Sequence, residues 1–173
     1  MKKHSFFITA LFLFSFIGIC RLWAYELKDY EIAVGGGRNL NSLPTTQFIL
    51  IGAKNMRVEK NLFFRVEPTL EYIVDEEEML VGGASAVLRF ASPHKGITPF
   101  VDLGAGVNYA GDNFYADRDL GGHFLFNIIL GGGFNLGDDY SVSYRYRHLS
   151  NGGLGISNDG FDSFYILFGL YFK

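Results

Sequence analysis

The chain has a single cysteine, Cys20, and it stands inside an N-terminal apolar run, so no disulfide can brace the remainder. It has only four prolines, which leaves long stretches free to pair as strands. Cationic clusters are missing too: 15 Lys and Arg against 18 Asp and Glu give a net charge of −3, which excludes a nucleic-acid partner held by phosphate contacts. Gly35-Gly36-Gly37 runs into Arg38 without the Lys-Ser/Thr of a phosphate loop. His94 and His123 have no companions at metal-ligand spacing, so neither a metal nor any other cofactor is expected. The acidic run Asp75-Glu76-Glu77-Glu78 reads as a solvated turn rather than a cation site.

Two features do stand out. Lys2 and Lys3 precede an unbroken apolar stretch from Phe6 to Cys20, too short for a membrane helix, and charge resumes at Arg21. This predicts a secretory signal peptide over 1–24, cut near Ala24, followed by one domain over 25–173. In that domain the 17% aromatic content and 22 glycines are combined with alternation at period two and no helical stretch, which predicts an all-β fold.

Eight strands are expected, over 26–36, 46–56, 61–74, 79–91, 97–110, 122–134, 139–150 and 161–172. Hairpin connections between them allow closure into an antiparallel up-and-down barrel, which removes exposed edges. The third strand decides which way the barrel faces. Leu62, Phe64, Val66, Leu70, Tyr72 and Val74 share one side, with Arg65, Glu67, Thr69 and Glu71 on the other. Charges on one face would cost a few kcal/mol each against lipid or in a dry core, so that face must line a polar interior where charges can pair. The apolar face then meets lipid, predicting a transmembrane barrel and disfavouring a lipocalin-like soluble carrier. In the fifth strand Val101, Leu103, Ala105 and Val107 oppose Asp102 and Asn108. In the sixth, Phe124, Phe126, Ile128, Leu130 and Phe134 oppose His123 and Asn127. Gly104, Gly106, Gly131 and Gly133 fall inward, where an eight-stranded barrel has little room.

The seventh strand ends in "YRYRHLSNGG". Tyr140, Val142, Tyr144 and Tyr146 take its outer face, and His148 and Ser150 continue the same parity. In the eighth strand the outward series Phe164, Ile166, Phe168, Leu170 and Phe172 extends back to Asp162. With 151–160 as the connecting loop, Ser150 is expected roughly opposite Asp162, with His148 diagonal to it. Such neighbours stand about 5 to 8 Å apart, which lets a carboxylate hold one imidazole nitrogen while the other reaches a hydroxyl. That is the arrangement of an acyl-transfer nucleophile. The plainer reading is that His148 and Ser150 mark a strand running into a polar turn. An even strand number with both termini periplasmic sends the seventh strand toward the cell exterior, where the facing lipid is lipopolysaccharide.

The stretch "HLSNGGLGISNDGFDSFYILF", His148 to Phe168, resembles the C-terminal signature of the outer-membrane lipid A 3-O-deacylases, the PagL-like family. The resemblance implies an esterase that removes the 3-O-linked acyl chain of lipid A, with lipopolysaccharide as substrate and outer-membrane lipids as surroundings. It implies Ser150 as nucleophile, His148 as general base and then acid, and Asp162 as the orienting carboxylate. Asn151, with backbone N–H groups near Gly152 and Gly153, is implied as the oxyanion hole. The family's best-known members have Glu where this chain has Asp162. A non-catalytic outer-membrane barrel serving adhesion, envelope integrity or small-solute passage is the alternative, and a homodimer is compatible with either.

Overall fold

The computed structural model describes residues 27–40, 45–74, 78–92, 96–115 and 118–173, so the predicted signal peptide, His94 and most of the acidic run lie outside the described residues. The strands are β1 (Tyr30–Asn39), β2 (Thr46–Glu59), β3 (Leu62–Val74), β4 (Glu78–Ala91), β5 (Ile97–Ala110), β6 (Phe114–Tyr115), β7 (Arg118–Asp119), β8 (Phe124–Leu136), β9 (Tyr140–Ser150) and β10 (Phe161–Phe172). Eight of them close into an antiparallel barrel in the order β1-β10-β9-β8-β5-β4-β3-β2. Each strand pairs with its neighbour in sequence, and β1 meets β10 to close the wall, from Tyr30 opposite Phe172 to Asn39 opposite Ser163. The short pair β6 and β7 forms a separate hairpin within the loop between β5 and β8, which strand alternation alone did not reveal.

Alternation in the sequence becomes alternation in burial. On β3, Phe63, Arg65, Glu67 and Glu71 are buried, while Val66, Leu70 and Tyr72 are exposed. The same outward belt continues through Leu103 and Val107 on β5, Phe126, Ile128 and Leu130 on β8, and Phe164, Ile166 and Phe168 on β10. A continuous apolar outer wall around a charged interior is the inverse of a soluble barrel and matches a lipid-facing one.

The interior charges are paired. Arg89 makes a two-pronged contact with Asp102, with both N···O distances at 2.7 Å. Arg145 reaches Glu67 at 2.7 Å, and Arg65 lies 2.7 Å from Glu31 and 2.8 Å from Glu67. Nearer the site Arg147 contacts Glu71 and Tyr165, which contact each other as well. Bidentate and shared contacts are what lets so many charges occupy a space closed to water. The inward glycines make room for this filling: a Cβ on Gly133 would stand 2.2 Å from Val142 O, and one on Gly106 would stand 2.5 Å from Ser85 Oγ.

The two rims differ. At one, β2 to β3, β4 to β5 and β8 to β9 are joined by 60–61, 92–96 and 137–139; at the other, β1 connects to β2 through 40–45, β3 to β4 through only 75–77, β5 to β8 through 111–123 and β9 to β10 through 151–160, so the two longest connections share one rim. Tyr30 and Phe172 lie at the short-turn rim. Ser150 and Phe161 lie at the long-loop rim.

Candidate active site on the outer wall

Leu149 and Arg147 are buried in the barrel, so Tyr146, His148 and Ser150 between and beside them face outward. Phe161 and Ser163 are buried likewise, which turns Asp162 outward on β10. All three residues expected at the site therefore share the outer face. The register differs from expectation by two residues: Asp162 is directly opposite His148, not Ser150. The reason is that β9 stays paired up to Leu149 opposite Phe161, which fixes the ladder. Direct opposition is also why a side chain as short as aspartate reaches the ring.

His148 Nδ1 stands 2.7 Å from Asp162 Oδ1. With that nitrogen held, Nε2 is the one left for a hydroxyl, and Ser150 follows two residues along the same face, about 7 Å further on by the strand rise. The carboxylate side chain is 19% exposed and the histidine 35%, so the carboxylate is shielded while the ring keeps an open edge. Backbone pairing fixes Asp162 from its other side, where Leu40 N donates to Asp162 O at 2.8 Å. Beyond β9, Ser150 pairs with Phe126 and His148 with Ile128, so an apolar flank of β8 borders the polar trio.

The loop after Ser150 is built around Asn151, which is buried. Its Nδ2 donates to Leu120 O at 3.0 Å and Ser157 O at 2.7 Å, and its Oδ1 accepts from Gly153 N at 2.8 Å. The expected oxyanion donors thus divide. The Asn151 amide is engaged by Ser157 O in its own loop and by Leu120 O outside it, and the Gly153 N–H by Asn151 Oδ1, whereas the Gly152 N–H has no partner among the described residues. Gly152 and Gly153 both adopt positive φ, 66° and 81°. Gly152 also lies against Phe126, whose ring a Cβ would approach to 3.0 Å.

The loop 111–123 docks onto this one. Arg118 Nε donates to Gly160 O at 3.1 Å, Asp119 N to Asp159 Oδ2 at 2.8 Å, and Asp159 N to Asp119 O at 3.0 Å. His123, expected on an inward face, is instead exposed at the rim before β8 starts. Its ring stacks on outward-facing Tyr109 with centroids 5.4 Å apart. Among the described residues no group of three or more His, Cys, Asp or Glu could hold a metal ion.

A model of the family described as lipid A 3-O-deacylase (PagL) matches residues 45–171. The chain belongs to the PagL family. A lipid A deacylase PagL of Pseudomonas aeruginosa is 33% identical over 72 residues, a stretch covering 42% of this chain and 42% of that relative. The crystal structure of the outer membrane enzyme PagL shares the fold, with a TM-score of 0.72 over 82% of this chain and 99% of the other, at 22% identity. Two residues of this candidate site carry little or no signal in the sequence. Tyr146 donates to Asp162 Oδ1 at 2.6 Å, and Gly160 packs on the imidazole, where a Cβ would come within 3.1 Å of His148 Cε1. Tyr146 has the parity of His148, the only sequence signal it carries; its approach to Asp162 depends on the register across β10.

Proposed function

We propose that the chain is an outer-membrane esterase that removes the 3-O-linked acyl chain from lipid A of lipopolysaccharide, with Ser150, His148 and Asp162 as its triad. One observation carries this reading: a histidine held through Nδ1 by a carboxylate on the lipid-facing wall, with a serine two residues further along the same face of the strand. A barrel that only spans the membrane has no use for such a group among outward Phe, Ile and Leu, where polar side chains are costly.

His148 Nε2 takes the proton of Ser150 Oγ as the oxygen attacks the ester carbonyl carbon. The resulting oxyanion is received by the turn after Ser150, where the Gly152 N–H has no partner among the described residues, while Asn151 holds the turn in place. A donor of this kind is typically worth about 3 kcal/mol in the transition state. Collapse breaks the ester C–O bond, and His148 returns the proton to the departing sugar oxygen. Water, deprotonated by the same nitrogen, then releases a 3-hydroxy fatty acid and restores the serine. Asp162 orients the ring and stabilises its charge throughout.

The asymmetry of the rims supports an orientation with 111–123 and 151–160 at the cell exterior, since outer-membrane barrels have short periplasmic turns and longer outer loops. The trio then lies at the outer leaflet, where the substrate's acyl chains can stay in the bilayer and lie along Phe126 and Ile128. Residues 1–24 act as the export signal and 25–173 form the barrel. A homodimer would have to leave β8, β9 and β10 open to lipid. Mass spectrometry of lipid A from cells making wild-type protein or Ser150→Ala tests the assignment. Loss of the 3-O-linked chain in the first and its retention in the second is the expected pattern. An unchanged acyl pattern with wild-type protein would favour the non-catalytic barrel.

A further inference from the structure

Tyr146 is the outward residue of β9 whose polar atom ends on the proposed triad. Its hydroxyl donates to Asp162 Oδ1 at 2.6 Å, the oxygen that also faces His148 Nδ1 at 2.7 Å. Its cross-strand partners are Leu130 on β8 and Phe164 on β10, both exposed apolar side chains of the lipid-facing belt. A hydroxyl in that setting is costly unless it has a partner. The diagonal from Tyr146 to Asp162 across the β9–β10 ladder is within the reach of an aromatic side chain.

Asp162 lies directly opposite His148 and has only one methylene between its backbone and the carboxylate, so its contact with the ring depends on how the carboxylate is rotated. Rotation about its last torsion would carry Oδ1 away from the ring, because a terminal carboxylate torsion is broad. A second donor on the same oxygen removes that freedom. Resting on the proposed Ser/His/Asp reading, we infer that Tyr146 is a positioning residue: its hydroxyl pins Asp162 Oδ1 against His148 Nδ1 and so lets an aspartate do the orienting. It touches neither substrate nor the reacting atoms.

The test uses the full-length barrel, refolded in detergent and supplied with lipopolysaccharide bearing the 3-O-linked chain, with folding followed by the heat-modifiable gel mobility of barrels. Tyr146→Phe should lower kcat about tenfold and leave KM within twofold, with the folded fraction unchanged. In an Asp162→Glu background, where the longer side chain reaches the ring without help, Tyr146→Phe should cost less than twofold. Ser150→Ala is run alongside. If Ser150→Ala is inactive while Tyr146→Phe keeps the wild-type kcat, the positioning role is overturned and the triad stands. An equal loss from Tyr146→Phe in both backgrounds also overturns it, because a structural or substrate-contacting tyrosine would not distinguish the two carboxylates. Wild-type activity in Ser150→Ala would instead bring down the triad itself.

Discussion

Gly160 meets two constraints at one residue. Its φ of +65° is a conformation that a side chain adopts only at a cost of about 1–2 kcal/mol, and the face a Cβ would occupy is filled by the imidazole of His148 at 3.1 Å. Its carbonyl meanwhile accepts from Arg118 at 3.1 Å, so it cannot easily retreat. Gly160→Ala should therefore push the ring away from its contact with Asp162 and lower kcat about tenfold while the barrel still folds. Steady-state deacylation of lipopolysaccharide checks this; a wild-type kcat would mean that the ring edge tolerates a methyl group. The glycine was legible as a turn residue, but its contact with His148 was not, since it depends on how the folded loop brings Gly160 back onto a ring twelve residues earlier in the chain.

Among the elements, the loop 151–160 is the one that joins site to scaffold. Asn151 ties it to Leu120 O and Ser157 O, and the approach is so close that a Cβ on Gly121 would meet Asn151 Nδ2 at 2.3 Å. Removing the amide leaves two carbonyls of the docked loops short of a donor, at about 1–3 kcal/mol for each that stays buried. Asn151→Ala should accordingly loosen the loop, seen as new protease cleavage within 151–160, together with reduced deacylation. A fall of about 10²–10³ in kcat with the loop still protected would assign the amide to the oxyanion instead. Strand positions were readable best where, as on β3, β5 and β8, a polar or small face alternates with an apolar one; β2 and β4 are less clean, since they bury Ile49, Ile51, Met79, Val81 and Val87. The register of β9 against β10 was misjudged by two residues. Loop length sets where pairing resumes, and the hydrogen bonds that shape this loop come from 111–123, far away in sequence.

For the whole molecule, the interior is a filled network rather than a passage. Arg65, Arg89 and Arg147 are among the largest fully buried side chains, and each is engaged by carboxylates of other strands. Breaking a buried ion pair on one side costs about 3–5 kcal/mol because the partner charge is stranded. Asp102→Ala takes from Arg89 its two-pronged partner and leaves it only Glu31, at 3.4 Å, as a carboxylate contact, while Arg145 keeps Glu67; it should lower barrel stability by up to about that amount in urea unfolding. Deacylation per folded molecule should stay within about twofold, since the network and the trio lie on opposite sides of the wall. A loss of activity in fully folded protein would show that the interior controls the site.

By itself the sequence determined that this chain is a barrel with its greasy side outward, and that His148, Ser150 and Asp162 share that side. Both follow from the two-residue period of a strand, a local property that survives any error in register. Only the tertiary structure decided that His148 rather than Ser150 faces Asp162, that Tyr146 joins them, and that Asn151 is committed to the loop. Those outcomes depend on pairing across strands and on two loops docking together, and such contacts are set by closure of the whole wall, not by the order of neighbouring residues.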